Sequence, residues 1–162
     1  MRSTSPLTFR PMTEADLDPA AALWHEGWVA GHADVVPAEL TRLRTLDSFR
    51  ERLTRRRADC VVTVKNDTCI GFTMFHDNEI DQFYIGSAAR GTGAAMAQMD
   101  EAERRLRAAG HASAWLACSV GNTRAARFYE KAGWTRAATE RMSFETSQGP
   151  FALDVWRYEK TL

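Results

Sequence analysis

Runs of β-branched and aromatic residues, separated by short polar pairs, occupy the middle of the chain. The polar pairs are Asn66-Asp67 and Asp77-Asn78, and the apolar runs beside them are CVVTVK, TCIGFTMFH and EIDQFYIG. Such runs favour strands, and Asn and Asp between them favour tight turns. The pattern therefore predicts an antiparallel meander of three strands.

The spacing of apolar residues becomes helical after Gly93. Polar residues, Gln98 among them, stand between apolar residues that recur three or four positions apart: Met96, Met99, Ala102, Leu106 and Ala109. This spacing predicts an amphipathic helix whose methionines face the core, and Gly110 is a typical residue to end it. An apolar strand, ASAWLACSV, follows. The strand–helix–strand step from Phe83 to Ser119 predicts a right-handed crossover between two parallel strands.

The two ends of the chain complete one fold. A first strand is predicted over Leu7 to Arg10, helices over Thr13 to about Trp28 and Asp47 to Arg56, and irregular chain over Gly31 to Leu43. A short helix and a terminal hairpin follow the crossover. We predict one domain over residues 1–162 with an α/β (α+β) fold. In it, about four helices flank a mixed, mostly antiparallel sheet of about seven strands.

Composition and charge exclude several classes of function. The 162 residues include 21 Lys and Arg and 21 Asp and Glu, so no excess charge draws the chain toward nucleic acid or an anionic membrane. The stretch MRSTSPLTFR lacks the apolar core of a secretory signal, and no segment is long enough to span a bilayer. We therefore expect a cytoplasmic protein. Its three cysteines lie apart in apolar runs, which favours buried reduced thiols and no metal site.

A run of arginines, Arg50 to Arg57, ends the second predicted helix. Two interpretations stay open. The run is either a solvated helix end whose cations suit the negative end of the helix dipole, or a patch that binds phosphate or a partner.

A glycine-containing loop, ARGTGAAM, lies between the third meander strand and the long helix. A phosphate-binding P-loop needs lysine and then serine or threonine where Ala94 and Ala95 stand. A dinucleotide fingerprint needs a third glycine where Met96 stands. The remaining interpretation is Arg-x-x-Gly-x-Ala from Arg90, in which a cation and the unpaired N–H groups of a helix start hold a pyrophosphate. The alternative is a tight turn with no ligand.

With this loop in its context, the sequence resembles the GNAT superfamily of acyl-coenzyme A-dependent N-acyltransferases. The resemblance covers most of the C-terminal two-thirds of the chain. It is carried, in the family's order and spacing, by EIDQFYI, RGTGAA, MAQMDEAERRLRAAG, ASAWLACSV and NTRAARFYEKAGW. It implies a GNAT-like sheet whose parallel strands splay apart, and acetyl-coenzyme A as the cosubstrate.

The resemblance also implies a set of cofactor-binding residues. The pyrophosphate would be cradled by Arg90, Gly91, Thr92, Gly93, Ala94 and Ala95. The pantetheine arm would pair with the backbone of the preceding strand at Phe83, Tyr84 and Ile85, where one free amide near Phe83 would stabilise an oxyanion. Asn122 and Phe128 complete the set. Asn122 is equally well interpreted as the N-cap of the next helix.

Two catalytic residues are carried over in the same way. Tyr129 matches a tyrosine that often protonates the departing coenzyme A thiolate. A buried tyrosine hydrogen-bonded in the core is the alternative for this position. Glu79 lies eleven residues before Arg90, which matches a catalytic glutamate in some members, and it would act as base for the amine directly or through water.

Strand alternation adds an argument about Glu79. It would place Glu79, Asp81, Phe83 and Ile85 on one face, where two carboxylates among core-facing residues could raise one pKa. Both carboxylates could equally lie in solvent at the start of the strand.

The acceptor site is expected between the N-terminal region and the loop near Gln148. Trp24 and Trp28 share a helix face in WHEGW and could line an amine pocket together with Asp81. The alternative is that both tryptophans belong to the core and that the nearby histidines, His25 and His32, lie on the surface.

We expect an N-acetyltransferase that moves an acetyl group to a primary amine of a small metabolite, by direct attack in a ternary complex. Two other functions stay open: a non-catalytic acyl-coenzyme A sensor, and an acetyltransferase for protein N-termini or lysines. A homodimer is a possible assembly.

Overall fold

One sheet of seven strands organises the molecule, and the computed structural model describes residues 6–162 of it. The strands are β1 (Thr8–Pro11), β2 (Cys60–Lys65), β3 (Thr68–His76), β4 (Glu79–Ile85), β5 (Ser113–Ser119), β6 (Thr135–Thr146) and β7 (Gly149–Thr161). Their order in the sheet is β1-β2-β3-β4-β5-β7-β6, and β4 and β5 form its single parallel pair within these residues. The predicted mixed, mostly antiparallel sheet is confirmed.

Five α-helices flank this sheet within residues 6–162. They are α1 (Leu17–His32), α2 (Ala38–Leu43), α3 (Leu46–Arg56), α4 (Ala94–Ala108) and α5 (Thr123–Lys131). α2 adds one helix to the predicted four, in a segment that the sequence marks as irregular. It begins directly after Pro37, and Leu40 anchors it in the core with 1% exposure. In the described part of the chain, no helix is both apolar and long enough to cross a membrane.

β4 and β5 meet only at one end. Their parallel ladder is the single pair Glu79↔Trp115, whereas β5 pairs with β7 all the way from Ser113 to Ser119. Beyond Glu79, the edge of β4 that faces β5 therefore has no pairing strand among the described residues. The splayed strand pair expected from the family resemblance is present.

β4 contains one residue more than the stretch of β3 that it faces. Met74 pairs with Gln82 and Phe75 pairs with Ile80, which leaves Asp81 unpaired in a β-bulge. Because a bulge interrupts the regular alternation of side chains, it changes which residues of β4 share a face.

The bulge overturns one prediction. Simple alternation places Glu79, Asp81, Phe83 and Ile85 on one face. The observed register puts Glu79 and Phe83 on opposite faces, because their partners on β3, His76 and Thr73, are three residues apart. Glu79 lies on the side covered by α1 and α3, and Phe83 packs in the core on the side of α4 and α5.

Each face of the sheet has its own hydrophobic core. On the α1 and α3 side, Trp24, Phe49 and Phe72 are fully buried, and on the α4 and α5 side Met99 and Leu116 are. The splayed edge of β4 stands between the two cores. The gap beside it is therefore bordered by two packed layers.

Gln98 ties α4 to three strands. The sequence places it among the polar positions of the helix, yet it is only 2% exposed. Its Oε1 accepts from the Thr63 hydroxyl at 2.6 Å, and its Nε2 donates to the carbonyls of Phe72 and Tyr84 at 2.9 and 3.2 Å. A side chain of this size fits because Gly71 has no Cβ where Gln98 approaches it. Gln98 thereby fixes α4 against the bulged strand.

Candidate active site

A cavity of about 860 Å³ fills the gap between β4 and β5. It is lined by the inner edges of both strands, the last turns of α1, the start of α5, and side chains from α2, α3 and the β6–β7 hairpin. Its size is within the range of small-molecule and cofactor sites. The hairpin contributes Phe144 and Leu153, and not the turn near Gln148 that the sequence suggested.

The predicted pyrophosphate loop opens at one end of this cavity, where Arg90 and Ala95 line the wall. Gly91 and Gly93 have φ values of 73° and 84°, a conformation that favours glycine. Among the described residues, no acceptor takes the backbone N–H groups of Gly91, Thr92, Gly93, Ala95 and Met96. Unpaired amides at the start of a fifteen-residue helix are an arrangement that can bind an anion.

The edge of β4 offers further backbone groups. Gly86 donates its N–H to the carbonyl of Ile70 at 2.8 Å, so the groups of Gly86 and, two residues earlier, Tyr84 are directed toward β3. The N–H and C=O groups of Phe83 and Ile85 are then directed into the gap. All three predicted residues of this strand line the cavity.

The Tyr84 ring lies on the α1 and α3 side of the sheet, opposite the side chain of Phe83. It packs beside Trp24 and against Gly27, where a Cβ would lie 2.8 Å from the ring. Burial raises the pKa of Tyr84. Gly27, the glycine in WHEGW, is thus needed for close packing between α1 and β4. A glycine inside a helical pattern can indicate such a close contact.

The start of α5 borders the cavity with Asn122. Its Oδ1 accepts a hydrogen bond from the Ala125 N–H at 3.4 Å. Its Nδ2 packs closely against Gly31, since a Cβ at that position would lie only 2.9 Å from it. Asn122 therefore caps the helix and also lines the cavity, and its contact with the pantetheine arm stays a prediction. Phe128 lines it as well and stacks on Phe83 with ring centroids 5.6 Å apart.

Tyr129 lies one position further along α5 and is half-buried in the cavity wall. Its ring packs edge-on against Phe128 and beside Tyr158. The side-chain hydrogen bonds of the described residues include none to its hydroxyl, and the hydroxyl is not among the fully buried polar atoms either, so the alternative of a tyrosine hydrogen-bonded in the core does not fit the structure. Burial raises the pKa of Tyr129, which keeps the hydroxyl a neutral proton donor.

Glu79 lines the same cavity at the start of β4. Burial and, to a smaller extent, the neighbouring carboxylate of Asp81 raise the pKa of Glu79 to about 7, against the opposing effects of His76 and Arg56. Asp81 also lines the cavity, and Arg56 binds it at 2.9 Å. The two carboxylates thus differ. Asp81 is ion-paired, whereas Glu79 can exchange a proton near neutral pH.

The two predicted tryptophans have different positions. Trp24 is fully buried between Phe49 and Phe72 and is not part of the cavity wall, so it lies where a substrate does not reach. Trp28 does line the cavity, stacked on His32 with ring centroids 4.7 Å apart.

His32 also lines the cavity, which the interpretation of a surface histidine missed. Burial lowers the pKa of His32 to about 4, so the ring is neutral at physiological pH. Its Nδ1 lies 2.9 Å from the Trp28 carbonyl and must carry the proton to donate there. Nε2 is then left as an acceptor.

Two arginines of the cavity wall, Arg44 and Arg52, were not predicted as site residues. Arg44, 5% exposed, donates to the Glu145 carbonyl at 3.0 Å, while its Nε has no partner among the described residues. The Arg52 guanidinium lies 4.5 Å from the centre of the Trp24 ring. Burial and the charge of Arg44 lower the pKa of Arg52 to about 10.

Neither interpretation of the arginine run describes it completely. Arg56 turns inward to Asp81 and to the Phe75 carbonyl, and Arg52 faces the cavity, so only part of the run is a solvated helix end. The sequence contained one signal that Arg52 faces inward, namely its position on the helix relative to the apolar residues. Arg52 follows the buried Phe49 by three residues, which places both on neighbouring parts of one face.

All three cysteines carry protonated thiols. Burial raises the pKa of Cys60 and of Cys118 to about 12 and the pKa of Cys69 to about 11. Cys118 lines the cavity from β5, a position that the sequence did not single out. A thiol with so high a pKa is a poor nucleophile at neutral pH. No group of three or more potential metal ligands occurs within residues 6–162.

Comparison with known proteins identifies one family and several solved structures with a similar fold. The model of the acetyltransferase (GNAT) family matches residues 19–134, and no curated protein matches the sequence significantly. The fold is similar to a GCN5-related N-acetyltransferase from Rhodopseudomonas palustris, with 19% identity, a TM-score of 0.75 and coverage of 100% of this chain and 99% of that one.

Two further solved structures are similar. An N-acetyltransferase from Staphylococcus aureus Mu50 has 18% identity and a TM-score of 0.71, covering 97% of this chain and 99% of that one. The PaiA N-acetyltransferase from Thermoplasma acidophilum, solved in complex with coenzyme A, has 16% identity and a TM-score of 0.68 with the same coverage. Identities this low establish the fold and leave the acceptor open.

Proposed function

The chain belongs to the acetyltransferase (GNAT) family, and we propose that it moves an acetyl group from acetyl-coenzyme A to the primary amine of a small molecule. One observation carries the proposal. A single cavity connects the free amides of the loop after β4 with Glu79 and Tyr129. An acyl donor anchored at the loop can therefore reach both a base and an acid.

The residues present fit coenzyme A. Its pyrophosphate would lie on the loop amides with Arg90 beside it, and its pantetheine arm would pair with the backbone of Phe83 and Ile85. When bound, acetyl-coenzyme A supplies the activated thioester carbonyl. The N–H of Phe83 would donate to the carbonyl oxygen as negative charge develops there.

Glu79 would remove the proton from the acceptor amine, directly or through water. A pKa of about 7 suits this role, because the carboxylate is then available at neutral pH and still basic enough to take a proton. The amine nitrogen bonds to the acetyl carbon, and the carbon–sulfur bond breaks.

Tyr129 would donate its proton to the departing thiolate. Its hydroxyl is neutral, faces the cavity and has no competing partner among the described residues. A thiol leaves readily on its own, so this proton speeds the step without being indispensable.

Direct attack in a ternary complex is favoured over an acyl-enzyme. The cavity contains one cysteine, Cys118, and burial raises the pKa of its thiol to about 12. That thiol would have to ionise before it could accept the acetyl group. The raised pKa therefore argues against a covalent route.

The test is an acetyl-transfer assay on three classes of acceptor: small amines and amino acids, peptides with a free N-terminus, and peptides with an internal lysine. Coenzyme A release and mass spectrometry of the acceptor are the readouts, and calorimetry measures coenzyme A binding separately. We expect turnover of small amines with sequential kinetics. Ping-pong kinetics would contradict direct attack, and preference for peptides would indicate a protein acetyltransferase. Tight coenzyme A binding without turnover would indicate a sensor.

A further inference from the structure

We infer that the acceptor carries a carboxylate beside its amine and that Arg44 and Arg52 bind this carboxylate, an inference that rests on the proposed function. Both arginines line the cavity that holds Glu79. Neither forms an ion pair with a protein carboxylate in residues 6–162. The site thus contains two cations without a counter-ion.

Arg44 carries the stronger part of the argument. It is 5% exposed, and the only hydrogen bond of its side chain within the described residues runs to a neutral carbonyl, that of Glu145. Its Nε is buried with no partner. A buried guanidinium in this state is unfavourable unless an anion joins it. The planar group retains donors that match the geometry of a carboxylate.

Arg52 extends the same positive region toward the catalytic residues. Its charge interacts with the charges of Arg44 and Asp81. Asp81 does not neutralise it, because Arg56 already binds that carboxylate at 2.9 Å.

Other sources of an anion fit these arginines poorly. Arg44 contacts the backbone carbonyl of Glu145, but the side-chain carboxylate of that residue is exposed and lies 3.4 Å from Arg55. The phosphates of coenzyme A would lie at the loop, which follows the last residue of β4. Asp81, whose charge acts on Arg52, lies instead in the bulge near the beginning of β4. The anion that completes the site must therefore come from the acceptor.

The position of Glu79 links the carboxylate to the amine. The charge of Asp81 acts on both Glu79 and Arg52, and all three side chains line the same cavity, so the proposed base and the proposed carboxylate-binding cation border one space. A compound with an amine and a carboxylate on adjacent atoms, as in an α-amino acid, can engage both. The rest of the wall includes Trp28, Leu40, Phe144 and Leu153, which suits an apolar side chain.

The first experiment compares matched acceptors. L-Methionine is assayed against L-methioninamide and 3-(methylthio)propylamine, and L-phenylalanine against L-phenylalaninamide and phenethylamine. We expect kcat/KM to favour each amino acid by at least about 30-fold, mainly through KM. The amide is the informative partner, because its less basic amine has the larger unprotonated fraction at neutral pH. A preference for the acid therefore does not come from a greater supply of free amine.

The second experiment substitutes the arginines. Arg44→Met and Arg52→Met should each lower the preference for the acid over the amide at least about 10-fold. Methionine keeps much of the apolar contact of the arginine stem. Arg42→Met, exposed on α2 only two residues from Arg44, is the matched control and should retain the preference. Arg44→Met should also raise the Tm of the ligand-free protein, because it removes a buried unpaired charge.

A binding measurement separates this inference from the proposed function. Calorimetry with N-acetyl-L-methionine, in the presence of coenzyme A, tests the carboxylate site without turnover. If amines are acetylated without preference for a carboxylate, the inference fails and the proposed function stands. If no amine is acetylated but N-acetyl-L-methionine binds in an Arg44-dependent way, the carboxylate site stands and the proposed function fails. If neither occurs, both fail.

Discussion

The two ends of the cleft are built from different parts of the protein. The end proposed to hold the cofactor is one stretch of backbone, and its unpaired N–H groups belong to Gly91, Thr92, Gly93, Ala95 and Met96. The acceptor end consists of side chains from separate elements, among them Glu79, Tyr129, Arg44 and Arg52. A backbone site tolerates side-chain changes except at glycines with positive φ, whereas a side-chain site can change its acceptor by single substitutions. Substitutions at the first end should therefore weaken coenzyme A binding, and substitutions at the second should lower turnover or change the acceptor.

The largest effect should come from Gly93→Val at the cofactor end. Gly93 has a φ of 84°, which a β-branched residue avoids, so the amides would move out of the anion cup. Loss of two or three charge-assisted hydrogen bonds predicts about 1000-fold weaker coenzyme A binding, measured by calorimetry.

Gly110→Val is the matched control for that variant. Gly110 ends the same helix with a φ of 94°, and a Cβ there also meets nothing within 4 Å. Both variants should lose similar thermal stability, but only Gly93→Val should lose coenzyme A. Equal loss of binding in the two would show that the backbone cup is not the anchor.

The next effect belongs to the acceptor end. Tyr129→Phe should lower kcat about 100-fold and leave coenzyme A affinity nearly unchanged, because it removes a proton donor and no anchoring amide. Tyr158→Phe is the control, since Tyr158 packs beside Tyr129 but its hydroxyl accepts from Arg136. A loss of kcat in Tyr158→Phe as large as in Tyr129→Phe would reduce the role of Tyr129 to packing.

The contrast between the two ends also explains what the sequence could predict. The sheet, its single parallel pair and the loop depend on local patterns: apolar runs, turn residues and glycines in chain order. These were predictable because each signal lies within a short stretch of chain. The family resemblance was carried by the same stretches.

The acceptor end was less predictable, because its residues meet only through tertiary structure. Arg44 and Glu145 are about a hundred residues apart in the chain and join through a hydrogen bond that no local pattern encodes. The bulge at Asp81 adds one residue to a strand whose sequence looks regular, and so reversed the predicted face of Glu79. Trp24 and Trp28 share a helix face, yet only the second reaches the cavity.

A smaller effect is expected from Glu79→Gln, about 10-fold in kcat/KM at neutral pH, because water can relay the proton. The informative readout is the pH profile. With a pKa of about 7, deprotonation of Glu79 should make the kcat/KM of the unmodified protein rise with pH through about 7. Glu79→Gln should lose that rise.

Asp81→Asn sharpens the same prediction. It removes a charge that raises the pKa of Glu79, so the rise in kcat/KM should move to lower pH. A profile that keeps its midpoint in Asp81→Asn and in Glu79→Gln alike would assign the titration to another group.

The smallest effect is on stability, because the raised pKa of Glu79 lowers the free energy of unfolding at neutral and higher pH. The pKa of Glu79 in the folded protein, about 7, exceeds its ordinary value of 4.5, so the folded state binds more protons than the unfolded state between these values. Stability is lost as pH rises through this window. Glu79→Gln should therefore be more stable than the unmodified protein at about pH 8, by about 1 kcal/mol after allowance for solvent screening. That difference raises Tm by about 3 °C.

At about pH 4 the advantage of Glu79→Gln should vanish, because Glu79 is protonated in both states. Glu130→Gln, an exposed position on α5, controls for the loss of a negative charge. Scanning calorimetry at both pH values measures the difference, and a Glu79→Gln variant less stable than the unmodified protein at about pH 8 would contradict the raised pKa. No corresponding pH signature is expected from the cofactor end, because backbone amides do not titrate in this range.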